Sequence, residues 1–216
     1  MDTLTFIEEN KVIAICRRVY GDDLLRLSDA LKAGGVKMIE VTFDQAAPDC
    51  INQTTDNIRK LCEKHGDEMM FGAGTVLSVE QVDAAKDAGA RYIISPNVNE
   101  QIIRRTKELG LVSIPGAMTP SEIISAHELG ADIVKLFPSG YLGFRYIKDI
   151  LGPISHVKLC ATGGVTEENW GEYLDHGFAG AGISGRLCDK KCIQEGNFEE
   201  ITKRAKVFMD IVESHR

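Results

Sequence analysis

The sequence predicts an α/β fold in which eight strand–helix units close into a single (β/α)8 TIM barrel, and three observations support this prediction. Helix-like stretches that end in glycine are each followed by a short apolar strand, as in "LKAGGVKMIEVT", "AKDAGARYIISP" and "AHELGADIVKLFP". The glycines at 89, 110 and 130 recur about every twenty residues, the shortest spacing that a strand, a helix and two tight loops allow. The first strand is followed by "CRRVYGDD" rather than by the G-x-G-x-x-G motif usual in an open doubly wound sheet.

The elements follow one another in a regular order. Residues 2–10 have the pattern of a short helix ahead of the first strand. The eight strands are expected near residues 12–16, 37–42, 69–74, 91–95, 111–115, 132–137, 157–161 and 179–183. Because no low-complexity linker interrupts this series, we expect residues 1–216 to form one barrel domain.

Composition narrows the classes of function. The chain of 216 residues has a net charge of −7 with acids and bases interspersed, which argues against a nucleic-acid or membrane partner and favours a small molecule. The N-terminus "MDTLTFIEENK" is acidic where a secretory signal would be basic, so we expect a cytoplasmic protein. The six cysteines are scattered and are expected to be reduced. The "CDKKC" pair lacks the second half of a zinc site, so we expect no metal.

Charged residues are few at the carboxyl ends of the strands, where the active sites of (β/α)8 barrels lie. Lys135 stands in the middle of the apolar stretch "DIVKLFPSG" and shares its strand face with Ile133 and Phe137. If this face lines the barrel interior, the desolvated amine becomes a nucleophile toward a ketone. The residues alone leave a second interpretation equally open, in which the lysine reaches solvent or pairs with a core carboxylate.

Glu40 repeats this anomaly on the second strand, in "MIEVTF", where it shares a face with Met38 and Thr42. An apolar lining would raise its pKa toward neutrality and let the carboxyl group move protons. A structural ion pair with Lys135 is the alternative. A lysine and a glutamate in one pocket suggest Schiff-base chemistry, in which the amine condenses with a keto group and the carboxylate transfers protons.

Two glycine-rich strand ends, "GAGT" at 72–75 and "TGG" at 162–164, allow backbone N–H groups to approach an anion without side-chain obstruction. Each of them has an equally good explanation as a tight strand–helix turn. Together with Arg17, whose guanidinium can bind a carboxylate through two hydrogen bonds, they indicate an anionic substrate.

Taken together, these motifs resemble those of one family, the bacterial KDPG/KHG aldolases, which are class I aldolases. The similarity spans roughly residues 10–210 and rests on blocks in the same order: "GGVKMIEVTF", "GAGTV", "ISP", "IPGAMTPSE", "KLFP" and "ATGGV". The resemblance implies cleavage of 2-keto-3-deoxy-6-phosphogluconate or 4-hydroxy-2-oxoglutarate to pyruvate and an aldehyde. It also implies that no organic cofactor is needed and that the chain forms a homotrimer.

The resemblance implies a role for each matching residue. Lys135 would form the Schiff base and Glu40 would be the general acid and base. Gly74, Thr75 and Arg17 would hold the pyruvate carboxylate, and Pro96 and Phe137 would shape the pocket. The distal half of the substrate would contact Thr162, Gly163, Gly164 and Ser184.

The sequence departs from the family pattern at two places. Asp44 stands where many members have a carboxylate-binding arginine, so this role falls to Arg17. The eighth strand ends in "GISG", which exchanges the glycine and serine expected at 184 and 185 and alters the phosphate contact. An aldolase for the galactonate isomer, or a phosphate-binding barrel without aldolase activity, are the alternative functions.

Overall fold

In a computed structural model, residues 1–216 are described except for the side chain of Leu142. Nine parallel strands form one sheet that closes almost completely into a barrel, with helices between the strands. The strands are β1 (Val12–Cys16), β2 (Met38–Thr42), β3 (Met70–Gly74), β4 (Tyr92–Ile94), β5 (Val112–Ile114), β6 (Gly116–Ala117), β7 (Val134–Leu136), β8 (Leu159–Thr162) and β9 (Gly180–Ile183). The (β/α)8 architecture predicted from the sequence is therefore confirmed.

Strands β5 and β6 are two segments of the fifth barrel strand, and they end the sheet order β5-β4-β3-β2-β1-β9-β8-β7-β6. The interruption falls at Pro115, which has no N–H to donate to a strand ladder. Its carbonyl still accepts a hydrogen bond from the Lys135 N–H at 2.9 Å. The extra strand thus arises from a proline inside one predicted strand, and the eightfold repeat is kept.

The helices cover the outside of the barrel, apart from the first. They are α1 (Thr3–Asn10), α2 (Gly21–Ala33), α3 (Cys50–His65), α4 (Val79–Asp87), α5 (Glu100–Glu108), α6 (Pro120–Glu128), α7 (Ser139–Leu151), α8 (Trp170–Asp175), α9 (Lys190–Gln194) and α10 (Phe198–Ser214). Side-chain caps begin several of them, most completely at α6, where Thr119 and Glu122 form a capping box on either side of Pro120, the first helical residue. Every helix in the described residues is too short or too polar to span a lipid bilayer.

Alternation along the strands divides the apolar side chains into two layers. One layer fills the space between strands and outer helices and includes Val134 and Leu136 of β7. The other fills the barrel interior and includes Ile133, Met38 and Cys160. Lys135 and Glu40 therefore lie on the strand faces that point into the barrel, as the periodicity of two predicts.

Helix α1 corresponds to the short helix predicted at residues 2–10, and it closes the amino-terminal end of the barrel. Ile7 is buried and belongs to the interior layer, and Leu4 and Phe6 pack against that layer. Glu8 of the same helix forms an ion pair with Lys158, which precedes β8. The barrel interior is consequently closed at this end and accessible from the other.

Candidate active site

A cavity of about 630 Å³ opens at the carboxyl ends of the strands. Lys135 and Glu40 both line it. So do eight of the nine residues expected to contact the substrate, namely Arg17, Thr75, Pro96, Phe137, Thr162, Gly163, Gly164 and Ser184. Residues from all around the barrel thus meet in one concave site, as the carboxyl ends of parallel strands must.

Lys135 lies in the wall of this cavity with only 8% of its surface exposed. In the strand register it stands between Gly116 of β6 and Cys160 of β8. Its Nζ atom is 4.7 Å from the centre of the Phe137 ring, so the aromatic face supplies part of its surroundings. The amine can therefore meet a molecule in the cavity while its methylene chain stays buried.

Glu40 is more deeply buried, with 1% exposure, and its Oε2 atom has no hydrogen-bond partner among the described residues. Burial raises the pKa of this carboxyl above its ordinary value, while the positive charges of Lys135 and Arg17 act in the opposite direction. The two side chains share the cavity but are not joined by an ion pair in the part of the chain that the structure describes. A carboxyl group in this state is suited to give and take protons.

Gly74 lies behind Glu40 and does not line the cavity. A Cβ atom at position 74 would lie 1.6 Å from Oε1 of Glu40 and 2.3 Å from its Cδ, so only glycine leaves room for the carboxyl group. In the same way, a Cβ at Gly72 would lie 2.2 Å from the ring of Tyr92. The glycines of "GAGT" thus accommodate side chains from the neighbouring strands, in addition to the turn and anion contacts that the sequence suggests.

Arg17 and Thr75 border the cavity from the ends of β1 and β3. Arg17 is exposed and close enough to Glu40 to lower the pKa of that carboxyl. Thr75 has a φ of 55°, a left-handed conformation that is uncommon for a residue with a Cβ atom. A guanidinium and a threonine hydroxyl therefore flank the entrance to the Lys135–Glu40 pair.

The opposite wall is formed by the loops after β8 and β9. Gly163 and Gly164 both have a φ of 85°, and the N-terminus of α7 lies directly against them, with the Gly140 N–H donating to the Gly163 carbonyl at 2.7 Å. The backbone N–H groups of Gly163 and Gly164 do not donate a hydrogen bond to any residue that the structure describes. These donors and the Ser184 hydroxyl are available to an anion in the cavity.

Arg186 also lines the cavity, and its Nε and Nη2 atoms each lie 2.7 Å from Oε2 of Glu167. Ile183 borders the cavity as well, but its side chain is buried in the layer between strands and helices. The branched residue in "GISG" therefore does not obstruct the cavity.

Four lining residues were not singled out from the sequence: Ile15, Val165, Thr166 and Gly182. Ile15 shares the strand face of Ile13 and Arg17, so strand alternation was a signal that could have identified it. Gly182 is required by packing, because a Cβ there would lie 2.9 Å from both Ile15 Cδ1 and Thr162 Oγ1. No sequence signal marks Val165 or Thr166 beyond their position after "TGG".

Cys160 is the nearest other nucleophile, since it pairs in register with Lys135. Burial raises the pKa of this thiol to about 12, against the effect of the Lys135 charge. The thiol therefore stays protonated and does not compete with the amine for an electrophile. All six cysteines are free, as expected.

The sequence is similar to those of known aldolases. Residues 4–204 match the family model described as KDPG and KHG aldolase. The chain is 36% identical over 177 residues to the 2-dehydro-3-deoxy-6-phosphogalactonate aldolase of Escherichia coli, covering 82% of this chain and 83% of that protein. It is 32% identical over 208 residues to the 2-dehydro-3-deoxy-phosphogluconate aldolase of Haemophilus influenzae, covering 95% and 94% of the two chains.

Solved structures of aldolases have the same fold as this chain. A KDPG aldolase from Legionella pneumophila, captured with pyruvate as a covalent carbinolamine intermediate, superposes with a TM-score of 0.84 and 28% identity over 96% of this chain and 98% of that one. A native KDPGal structure superposes with a TM-score of 0.83 and 32% identity over 94% and 95%. With a family match over most of its length and relatives above 30% identity, the chain belongs to the KDPG and KHG aldolase family and is a lyase.

Proposed function

We propose that this protein is a class I aldolase that cleaves 2-keto-3-deoxy-6-phosphogluconate, 4-hydroxy-2-oxoglutarate or both to pyruvate and an aldehyde. The observation that carries the proposal is the pairing of a buried lysine with a buried, unpartnered glutamate in one cavity of the described chain. An amine with an apolar surround is suited to imine formation, and a carboxyl of raised pKa is suited to proton transfer. Neither step needs a metal or an organic cofactor.

In the proposed reaction, Lys135 Nζ adds to the keto carbon, C2, and loss of water from the carbinolamine gives a protonated imine. Glu40 removes the proton of the C4 hydroxyl, directly or through water. The C3–C4 bond then breaks, its electron pair moves into the imine to form an enamine, and the aldehyde leaves. Glu40 returns the proton to C3, and hydrolysis of the imine releases pyruvate and restores the amine.

The remaining contacts follow from where charge lies on the substrate. Arg17 and Thr75 flank the reacting pair and would hold the carboxylate at C1. The free N–H groups of Gly163 and Gly164, with the Ser184 hydroxyl, would hold the distal end, whether a phosphate or a carboxylate. Pro96 and Phe137 would limit the width of the pocket.

A galactonate-type substrate is the second candidate, because a relative at 36% identity is named as a 2-dehydro-3-deoxy-6-phosphogalactonate aldolase. The two phosphorylated sugar acids differ in configuration at one carbon and place the same groups at both ends. Assays of pyruvate release from both isomers and from 4-hydroxy-2-oxoglutarate will separate these candidates. A single barrel domain, a homotrimer and a cytoplasmic location remain predictions.

The proposed mechanism is tested by trapping the imine. Borohydride reduction in the presence of pyruvate should add one adduct per chain, and peptide mapping should locate it at Lys135. Lys158 is an internal control, because it lies at the opposite end of the barrel in an ion pair with Glu8. An adduct located on another lysine, or none at all, would contradict the Schiff-base mechanism.

A further inference from the structure

Two residues beside the cavity have backbone conformations that need support from their surroundings. Among the described non-glycine residues only three have positive φ angles, Lys11, Arg18 and Thr75. Arg18 directly follows Arg17, with a φ of 58°, and Thr75 has a φ of 55°. Such conformations are unfavourable for residues with a Cβ atom and persist where other contacts hold them. Thr75 is itself proposed to bind the substrate carboxylate, and Arg18 directly follows Arg17, the other residue with this proposed role.

Thr75 is held by the loop that follows β2. The Gln45 side chain donates from Nε2 to the Thr75 carbonyl at 2.6 Å. Gln45 is itself fixed by Gln81 of α4, whose Nε2 donates to Gln45 Oε1 at 3.0 Å. Gln81 Oε1 also accepts the Leu77 N–H at 2.8 Å, so the turn is held at both of its ends.

Arg18 is held by the adjacent residue of the same loop. Its Nε lies 2.7 Å from Asp44 Oδ2, and its Nη2 donates to Asp44 Oδ1 at 3.0 Å. Two parallel hydrogen bonds to one carboxylate fix the orientation of a guanidinium better than a single contact does. Because Arg18 directly follows Arg17, its backbone conformation sets the direction in which the chain leaves Arg17.

We propose that Asp44 and Gln45 are positioning residues that set the distance between the two carboxylate contacts, Arg17 and Thr75. The pair, which we call the 44–45 brace, follows β2 after Thr42 and Phe43, and the same strand carries Glu40. Asp44 and Gln45 thus connect the two proposed carboxylate contacts to β2, the strand that carries Glu40. The proposal rests on the function proposed above, in which Arg17 and Thr75 bind pyruvate.

The first test uses Gln45→Glu, which keeps the shape of the side chain but removes the donor to the Thr75 carbonyl. At pH 8 the ionised carboxylate faces two acceptors of the wild-type Gln45 Nε2, the Thr75 carbonyl and Gln81 Oε1. The pyruvate concentration that gives half-maximal cyanoborohydride trapping at Lys135 should therefore rise about tenfold over wild type, the size of one lost hydrogen bond. In aldol cleavage, KM should rise while kcat changes less than about threefold.

The pH dependence separates positioning from general damage. At pH 5 a larger fraction of the carboxyl introduced by Gln45→Glu is protonated and can again donate to the Thr75 carbonyl. The ratio of the variant's half-maximal pyruvate concentration to that of wild type should therefore fall between pH 8 and pH 5. For Gln45→Met, which cannot donate at either pH, this ratio should stay constant.

Asp44→Ala tests the other half of the brace and should also raise the half-maximal pyruvate concentration with little change in kcat. The matched control is Glu100→Gln, which removes an ion pair of the same 2.7 Å length to Arg104 on the exposed surface of α5. This control should trap pyruvate as wild type does.

The outcomes separate this inference from the proposed function. If wild type forms no adduct on Lys135, the proposed function fails. If wild type forms the Lys135 adduct and the Gln45 and Asp44 variants bind pyruvate equally well, the proposed function is supported. The positioning role of the 44–45 brace is then wrong. A fall in kcat at unchanged KM would also contradict the brace, since it would place these residues in the chemical step.

Discussion

At the scale of single residues, Glu40 has a side chain that folding alone would not favour at its position. Its carboxyl is buried in the barrel interior, has an oxygen without a partner in the described residues and carries a raised pKa. A buried carboxyl without full hydrogen bonding lowers the free energy of unfolding once it ionises. Its presence there is therefore better explained by function than by stability.

Replacing Glu40 by Gln should lower kcat by about 10²–10⁴, because the shape is kept while the proton transfer is lost. The pyruvate adduct on Lys135 should still form. Measurement of kcat together with borohydride trapping checks both statements. A kcat near that of wild type would leave Glu40 with a structural role only.

The same Glu40→Gln variant should be more stable than wild type at neutral pH. The folded protein holds the Glu40 proton more tightly than the unfolded chain, so wild type loses stability as the pH rises from the ordinary glutamate pKa through the raised one. The gain in Tm should therefore be near zero at pH 4 and positive at pH 8, by about 2–4 °C for each 1 kcal/mol. Thermal denaturation at several pH values measures it, and a constant difference would contradict the raised pKa.

Replacing Gly74 by Ala should displace the Glu40 carboxyl, because the added Cβ would overlap its Oε1 atom. We expect a fall in kcat close to that of Glu40→Gln, with the Lys135 adduct retained. Gly152→Ala is the matched control, since a Cβ there meets its nearest atoms at an ordinary 3.7 Å. Unchanged kcat in Gly74→Ala would show that the carboxyl can shift without loss of proton transfer.

The two residues that define the candidate site could be identified from the sequence because their charge is unusual among the apolar residues around them. Lys135 and Glu40 are charged residues inside apolar strands, and such residues are rare without a partner or a function. The role of Gly74 could not be identified in the same way. It depends on which side chain of the neighbouring strand lies over the glycine, and this is a property of strand register rather than of the local residues.

At the scale of elements, the predicted strands agree with the structure to within about two residues at most ends. The agreement follows from a strong local signal, a left-handed glycine after several of the helices, as at Gly89, Gly110 and Gly130, and an apolar run after each of these glycines. Two strands nevertheless differ from the prediction. The fifth strand splits at Pro115, and the strand of Lys135 shortens to Val134–Leu136.

The loops after β8 and β9 determine what the distal end of a substrate meets. Their backbone donors favour an anion, but the Arg186 guanidinium is already paired with the Glu167 carboxylate. A phosphate there gains less from an arginine that is neutralised by a neighbouring carboxylate than from a free one. The site therefore combines backbone donors for an anion with an arginine whose charge is already offset by Glu167.

We accordingly expect the phosphorylated keto-deoxy-gluconate to be accepted with a moderate preference over 4-hydroxy-2-oxoglutarate. The measurement is kcat/KM for both substrates, repeated after Ser184→Ala, which should reduce the preference further by removing one donor. Ser214→Ala, on the exposed end of α10, is the control. A preference above about a thousandfold, roughly 4 kcal/mol, would identify a dedicated phosphate site.

At the scale of the whole molecule, the sequence was sufficient to predict a closed barrel because every unit repeats the same connection. It was not sufficient to predict contacts between loops. Asp44 meets Arg18, and Gln45 meets Thr75, across 26 and 30 positions of the chain, and nothing in the local residues indicates these partners. Such contacts depend on where the strand ends meet once the barrel has closed.

The closure of the barrel by α1 has a consequence for the order of events in the proposed reaction. With Ile7 and its neighbours filling one end of the interior, every molecule enters and leaves through the opening bordered by Arg17 and Phe137. In that reaction pyruvate would still be bonded to Lys135 when the aldehyde forms. We therefore expect the aldehyde to depart first and pyruvate last, and pyruvate, which binds to the free enzyme, to act as a competitive product inhibitor.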